Sequence, residues 1–203
     1  MRPPFGHRDA VVLLLALFLV RSGFDPADRV VWVLETFWVM IPLVMWVLWL
    51  RRLRATNAVF WVVIAHAVVL IVGGIYMYAE VPAGRWVQEW MGRPRNDYDR
   101  LGHFMQGFAP ALVWRETFLR NGVVAVRGWL GVIVVGMCLA FSAFFELLEF
   151  AGALFAGDVG VNFLGAQGDI WDAQWDMLFC FVGSIVSLFT LGYLQDRELA
   201  REA

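Results

Sequence analysis

The chain has 203 residues, of which 61% are hydrophobic and 17% are charged, and its mean hydropathy is +0.66. An ordinary soluble domain is about 45–50% apolar and about 25% charged. This composition excludes a disordered or collagen-like chain, and a net charge of −2 excludes the basic surface of a nucleic-acid-binding protein. The sequence predicts a single all-α, integral membrane domain over residues 1–203, with the lipid bilayer as its environment.

Six apolar stretches predict a polytopic bundle of about six transmembrane helices, since about 20 mostly apolar residues cross the hydrocarbon layer. In chain order they cover about residues 10–24, 30–50, 57–78, 98–120, 127–155 and 169–195. The first stretch is short because Asp9 and Arg21 bound its apolar run. A signal peptide is the alternative, but no small-x-small cleavage site follows, so we expect a retained helix.

Two connections between these stretches have an unusual composition. Residues 81–96 combine Trp86 and Trp90 with several arginines, which is typical of a segment at the membrane–water interface. Residues 152–168 are rich in glycine but also carry apolar side chains. We expect this second connection to fold back onto the helix ends in a re-entrant manner.

The distribution of arginine predicts the orientation of the bundle. With the N-terminus inside, ten of the 16 basic residues fall in cytoplasmic segments, in agreement with the positive-inside rule. The clearest group is Arg51, Arg52 and Arg54, directly after the second stretch. We therefore expect a multi-pass protein of the cytoplasmic (inner) membrane of a bacterium, with both termini in the cytoplasm.

Polar residues concentrate at the ends of the last three stretches that this orientation turns to the extracytoplasmic side. Residues three or four positions apart share a helix face, so each of these helices presents one polar stripe. The stripes contain Asp99, His103 and Gln106 in the fourth stretch, Glu146 and Glu149 in the fifth, and Asp169, Asp172 and Asp176 in the sixth.

These stripes place many carboxylates beside few cations. A carboxylate in the middle of a membrane costs about 2.5–3.5 kcal/mol, so it usually pairs or lines a cavity. Some of the acids carry a proton, a cation binds among them, or water fills a funnel between the helices. A purely structural network, in which arginine, histidine and glutamine side chains satisfy the acids, is the alternative to a functional site.

If a divalent metal ion binds, its identity is open, because carboxylates favour Mg²⁺, Mn²⁺ or Ca²⁺ and an added imidazole suits Zn²⁺, Mn²⁺ or Fe²⁺. The predicted metal ligands are His103, Glu146, Glu149, Asp169, Asp172 and Asp176. The predicted catalytic residues are His103, Asp99, Glu146 and Asp172. Further pocket residues are Arg100, Gln106, Gln167, Gln174 and Glu35.

Other residues carry simpler interpretations. Cys138 and Cys180 lie in apolar runs without a C-x-x-C motif, so we expect two buried thiols. His66 lies in the middle of the third stretch and reads as a hydrogen-bonded core residue, with a proton relay as the alternative. Glu116 and Arg120 are four residues apart and predict an interfacial ion pair.

Three polar strings inside apolar helices carry a family resemblance. They are RNDYDRLGHF at residues 95–104, FSAFFELLE at 141–149 and FLGAQGDIWDAQWDM at 163–177. With them the chain resembles the YjdF-type family of uncharacterised bacterial inner-membrane proteins, over roughly residues 28–195.

A fainter likeness is to VanZ-like membrane proteins, whose pattern is Asp-x-x-x-His-Phe, then Glu-x-x-Gln, then Asp-x-x-x-Asn-x-x-Gly. The matching residues here are Asp99, His103, Phe104, Glu146, Asp176 and Gly183. Glu149 replaces the glutamine of that pattern and Cys180 replaces the asparagine. This resemblance implies a cell-envelope role at the outer face of the cytoplasmic membrane.

Three functions remain open from the sequence. The first is a membrane-embedded enzyme that uses a metal for hydrolysis or transfer on a lipid or cell-envelope precursor. The second is a proton-coupled transporter or permease, and the third is a non-catalytic envelope protein with a structural polar network. The sequence lacks a Walker A motif and a Rossmann glycine fingerprint, so we expect no nucleotide cofactor.

Overall fold

The computed structural model describes residues 6–48, 55–155 and 165–202, and it contains helices and no strand in these ranges. The seven α-helices described are α1 (His7–Ser22), α2 (Arg29–Leu48), α3 (Asn57–Tyr76), α4 (Pro82–Met91), α5 (Tyr98–Asn121), α6 (Leu130–Phe155) and α7 (Asp172–Ala200). The all-α prediction is therefore confirmed, and each of the six apolar stretches coincides with a helix.

Among the described residues, four helical segments are long and apolar enough to cross a membrane. They are α2, α3, α7 and the segment Arg127–Phe155, which consists of α6 and the helical turn before it. At about 1.5 Å per residue, the 16 residues of α1 are about 24 Å long, which is less than the roughly 30 Å of hydrocarbon. Because α5 carries charged residues towards both ends, it also falls outside the four, and the count of six spans is not confirmed.

The chain divides into two compact units. The first unit comprises Met1–Arg54 and Ala67–Tyr98, and the second comprises Ala55–His66 and Asp99–Ala203. The boundary therefore falls inside α3 and directly after the first residue of α5. All the predicted site residues except Glu35 belong to the second unit.

In the first unit, two tryptophan side chains connect α2 to α1. The indole N–H of Trp32 donates to the hydroxyl of Ser22 at 2.9 Å, and that of Trp46 donates to the carboxylate of Asp9 at 3.0 Å. Asp28 begins α2 by accepting hydrogen bonds from the first free backbone N–H groups, as an N-cap residue does. The carboxylate of Asp9, in the first turn of α1, thus has a hydrogen-bond donor on α2.

The helix α4 of the first unit has an apolar stripe without buried residues. Trp86 and Trp90 lie four residues apart on this stripe and are 80% and 85% exposed. The helix is held at its N-terminal end by Asn96, whose side-chain amide donates to the backbone carbonyls of Ala79 and Val81. An interfacial position of this segment stays a prediction.

In the second unit, α6 and α7 pack against each other around a core that includes both cysteines. Cys138 and Cys180 are fully buried and form no disulfide, which confirms the expectation of buried thiols. Ala111 on α5 and Val134 on α6 complete the same core, which holds α5, α6 and α7 together.

At the other end of these helices, Glu116 is the centre of a buried polar network. Its carboxylate accepts hydrogen bonds from the backbone and hydroxyl of Thr56, from Gln195 and from Arg120. The predicted Glu116–Arg120 ion pair is therefore confirmed at 2.8 Å. The network links the start of α3 to the ends of α5 and α7.

The glycine-rich connection at residues 152–168 is described only in part, and its re-entrant fold stays a prediction. Residues 152–155 belong to α6, which ends at Phe155, where the fifth apolar stretch was predicted to end. Residues 156–164 lie outside the described residues. From residue 165 the chain turns, with positive φ angles at Gly165, Gln167 and Gly168, before α7 begins.

Candidate functional site

His103 is the centre of the candidate site. It lies one helical turn after Asp99 on α5, and both side chains are buried. Its Nδ1 lies 3.0 Å from the amide oxygen of Gln106. Since an amide oxygen only accepts hydrogen bonds, this contact makes Nδ1 the donor, and in the neutral tautomer that fits it Nε2 carries the lone pair.

Two carboxylates face this lone pair. The Nε2 atom lies 3.7 Å from an oxygen of Asp99 and 3.6 Å from Oε1 of Glu146 on α6. These separations are too long for hydrogen bonds. They are close to the roughly 3–3.5 Å that separates neighbouring ligand atoms around a metal with bonds of about 2.1 Å. Each of the two carboxylates therefore lies close enough to Nε2 to share a cation with it.

The third helix of the site contributes Asp176. One potential ligand atom each from Asp99, His103 and Asp176 lies within 4.8 Å of the other two, and all three residues are buried. One imidazole and two carboxylates are a donor set that suits Zn²⁺, Mn²⁺ or Fe²⁺. Among the described residues, this is the group that brings metal-ligating atoms together.

Glu146 has an unusual environment. It is only 8% exposed, and its Oε1 atom has no hydrogen-bond partner within the ranges that the structure describes. A buried acceptor without a partner is costly, by about 1–3 kcal/mol or more for a charged group. A cation or a proton at this oxygen removes that penalty.

Close contact between α5 and α7 sets the position of the three ligating residues. The backbone of α7 at Cys180 lies against Gly107, and the backbone of α5 at Phe104 lies against Gly183. A Cβ atom at either glycine would overlap the facing carbonyl oxygen. The role of Gly107 was not predicted from the sequence, although its position four residues after His103 places it on the same helix face.

A second cluster surrounds Arg100, one turn before His103. Its guanidinium donates to the carboxylate of Asp169 at 2.8 Å and lies 5.5 Å from the centre of the Trp175 ring. Asp169 was predicted as a metal ligand, but the structure engages it with Arg100. Trp175 was not singled out from the sequence.

The remaining predicted residues divide into three groups. Glu149 and Asp172 are buried, and Asp172 lies within electrostatic range of Glu146. Gln167 and Gln174 are exposed, so the structure does not bury them with the cluster. Glu35 is buried in the first unit, and its membership of the site stays a prediction.

Comparison with known proteins identifies the family. Residues 8–197 match the model of a family described as "Predicted membrane protein (DUF2238)". The chain belongs to this family. It is also 40% identical over 189 residues to the inner membrane protein YjdF of Escherichia coli (strain K12), and the match covers 93% of this chain and 90% of that protein.

The match confirms the YjdF-type resemblance and the membrane nature of the chain. All three polar strings that carried the resemblance lie inside the matched residues. No solved structure matches the chain. The DUF2238 family description names no activity, so the function has to be inferred from the chemistry of the site.

Proposed function

We propose that this DUF2238 protein is a membrane-embedded enzyme that binds a divalent metal ion at Asp99, His103 and Asp176. The metal would activate a water molecule for hydrolysis or transfer on a lipid or cell-envelope precursor. The single observation that carries the proposal is the convergence of these three ligating groups, buried, within 4.8 Å.

The charges around the site support a bound cation. Asp99, Glu146, Glu149, Asp172 and Asp176 are all buried. Ionised carboxylates crowded together in a buried site repel one another, even where each has polar neighbours. A divalent ion offsets two of the negative charges, and protons shared among the carboxylates offset others.

The roles of the residues follow from their contacts. The hydrogen bond to Gln106 orients the His103 ring, as outer hydrogen bonds do for metal-bound histidines. Glu146, whose Oε1 lies 3.6 Å from His103 and has no hydrogen-bond partner among the described residues, is the candidate general base or fourth ligand. The proposal also includes Glu149 as a further metal ligand and Asp172 as a further ligand or catalytic residue.

The setting of the enzyme is also part of the proposal. We take the relative's location as a guide and assign the chain to the inner membrane, with six spans formed by α1, α2, α3, α5, α6 and α7. The arginine distribution then turns the site to the extracytoplasmic side and both termini to the cytoplasm. A site at that face has access to lipids and envelope precursors in the outer leaflet.

One observation favours proton-coupled transport as a second candidate. The buried residues of α7 are small or polar along its whole length, and they are Asp172, Asp176, Cys180, Gly183, Ser184, Ser187, Gly192 and Gln195. In the described part of the chain, the buried Oγ of Ser187 and Nε2 of His66 have no hydrogen-bond partner. Water along this stripe would connect the site to Glu116, and a Ser187→Ala variant would then lose proton flux in proteoliposomes.

Elemental analysis of the detergent-purified protein tests the proposal. We expect about one metal ion per chain in the wild type and a loss of at least tenfold in His103→Ala. Glu202→Gln is the matched control, because it alters an exposed pair with Arg120 at the other end of the unit. Absence of metal from a folded wild-type protein supplied with Zn²⁺, Mn²⁺ and Mg²⁺ would refute the metal-dependent enzyme.

A further inference from the structure

Arg100 occupies a position that the proposed metal chemistry leaves unexplained. Arg100 is the only buried arginine in the described part of the second unit, with 8% of its surface exposed. Its guanidinium is covered on one side by the Trp175 ring and is paired at 2.8 Å with Asp169. A planar guanidinium is the side chain best suited to bind carboxylates and phosphates through paired hydrogen bonds.

Asp169 is the less firmly buried member of this pair. Its side chain is 24% exposed, compared with 9% for Arg100, and it lies in the turn that precedes α7. The same carboxylate accepts the backbone N–H of Trp171 at 3.0 Å, which stabilises the turn locally. A soluble or lipid-borne anion can therefore approach the pair from the side of Asp169 and compete with that carboxylate.

The position of Arg100 connects it to the metal site. Arg100 precedes His103 by three residues on α5, a rise of about 4.5 Å along the same face of the helix. An anionic group held by Arg100 would therefore lie beside Asp99 and His103. Binding of one phosphate by an arginine and a nearby divalent cation is a general arrangement for phosphoryl groups.

We propose that Arg100 anchors a phosphate group of the ligand, and that Asp169 occupies the position of this phosphate when no ligand is bound. The inference rests on the proposed function, because it names the substrate class of the same site. Ile170 and Trp171, 83% and 60% exposed on the same turn, provide apolar surface for a hydrocarbon chain attached to the phosphate. A lipid phosphate monoester and free inorganic phosphate share the chemistry that Arg100 recognises.

Binding measurements on the full-length, detergent-purified protein distinguish these sources. One arm counts adducts of dilauroyl phosphatidic acid by native mass spectrometry, with dilauroylglycerol as the uncharged comparison. The other arm measures inorganic phosphate by equilibrium dialysis. We expect phosphatidic acid to bind and dilauroylglycerol to bind at least tenfold more weakly, whereas equal binding of the two lipids would overturn the proposal. Binding of inorganic phosphate as tight as that of the lipid would identify free phosphate as the ligand.

Two substitutions then test the anchor and its competitor. We expect Arg100→Gln to weaken phosphatidic acid binding at least tenfold, and Asp169→Asn to tighten it severalfold because the competing carboxylate is gone. If Arg100→Gln fails to fold, Arg100→Lys takes its place. It keeps the charge without the paired donors, and it should also weaken phosphatidic acid binding. The control Glu202→Gln also removes a carboxylate from an arginine pair, and it should leave binding unchanged.

Metal content, measured on the same samples, separates this inference from the proposed function. Retained metal with unchanged lipid binding in both Arg100→Gln and Asp169→Asn would overturn the phosphate anchor and leave the metal site standing. Loss of metal in Asp169→Asn would also overturn it, since Asp169 would then be a metal ligand. If the wild-type protein binds no metal and Asp169→Asn still binds phosphatidic acid more tightly than the wild type, the phosphate anchor is supported and the metal-dependent enzyme fails.

Discussion

Oε1 of Glu146 lies 3.6 Å from Nε2 of His103, and this pair joins α6 to α5 inside the second unit. That oxygen has no hydrogen-bond partner among the described residues. The Phe145 ring packs edge-on against the imidazole at 5.9 Å, which restricts the orientation of the histidine. A cation bound at the proposed site would compensate the charge of this carboxylate.

Substitution of the helix-contact glycines should destabilise the second unit. A Cβ atom in Gly107→Ala would overlap the carbonyl oxygen of Cys180, so α5 and α7 would have to separate. We expect a loss of about 1–3 kcal/mol in the free energy of unfolding, as for other overpacked sites. Denaturation in SDS mixed micelles measures this loss.

Gly136→Ala is the control for that substitution. Nothing lies within 4 Å of a Cβ atom at this position of α6, and alanine is the better helix former. Its free energy of unfolding should stay equal or rise slightly. Equal stability of both variants would show that α5 and α7 are not in close contact.

The Glu116 network should stabilise the protein without affecting the metal site. Glu116→Ala removes the acceptor of the buried Thr56 N–H and hydroxyl and of Gln195. Since each unsatisfied buried donor costs about 1–3 kcal/mol, we expect a loss of roughly 3 kcal/mol. The neighbouring exposed Thr117→Ala is the control, with a change of less than about 0.5 kcal/mol.

Elemental analysis of the same Glu116 variant separates stability from function. Metal content per folded chain should equal that of the wild type, because Glu116 belongs to the opposite end of the helices. A parallel loss of metal would contradict the assignment of a purely structural role to this network.

The orientation can be tested with single cysteines, since Cys138 and Cys180 are fully buried. We expect an impermeant maleimide to label Glu89→Cys on α4 in intact spheroplasts. Arg201→Cys, near the C-terminus, should react only after permeabilisation. Both positions are exposed, so a reversed pattern would contradict the arginine-based orientation and with it the outward-facing site.

The sequence predicted the helices well because their determinants are local. Uninterrupted apolar runs define where each helix lies, and polar flanks define where it ends. The four-residue spacing of Asp99 and His103 predicted a shared face, and the structure brings these side chains to 3.7 Å. The number of spans does not follow from the same local signals, because α1 is short and α5 carries charged residues. Apolar length alone therefore does not assign these two helices to the membrane.

Long-range relationships could not be predicted in the same way. Asp169, Asp172 and Asp176 have similar spacings, yet only Asp176 joins the group with Asp99 and His103. The rotation of α7 about its axis decides this, and it depends on the contact of Gly183 with the α5 backbone. The pairing of Asp169 with Arg100 depends in turn on the backbone turns at Gly165 and Gly168, which no periodicity reveals.

In the proposed metal site, His103 ligates a divalent cation together with Asp99 and Asp176. Pulsed electron paramagnetic resonance of Mn²⁺ bound to the purified protein tests it most directly, because Mn²⁺ accepts both oxygen and imidazole ligands. We expect bound Mn²⁺ coupled to one histidine nitrogen in the wild type, and loss of that coupling in His103→Gln. Bound Mn²⁺ without nitrogen coupling in the wild type, or coupling that persists in His103→Gln, would contradict it.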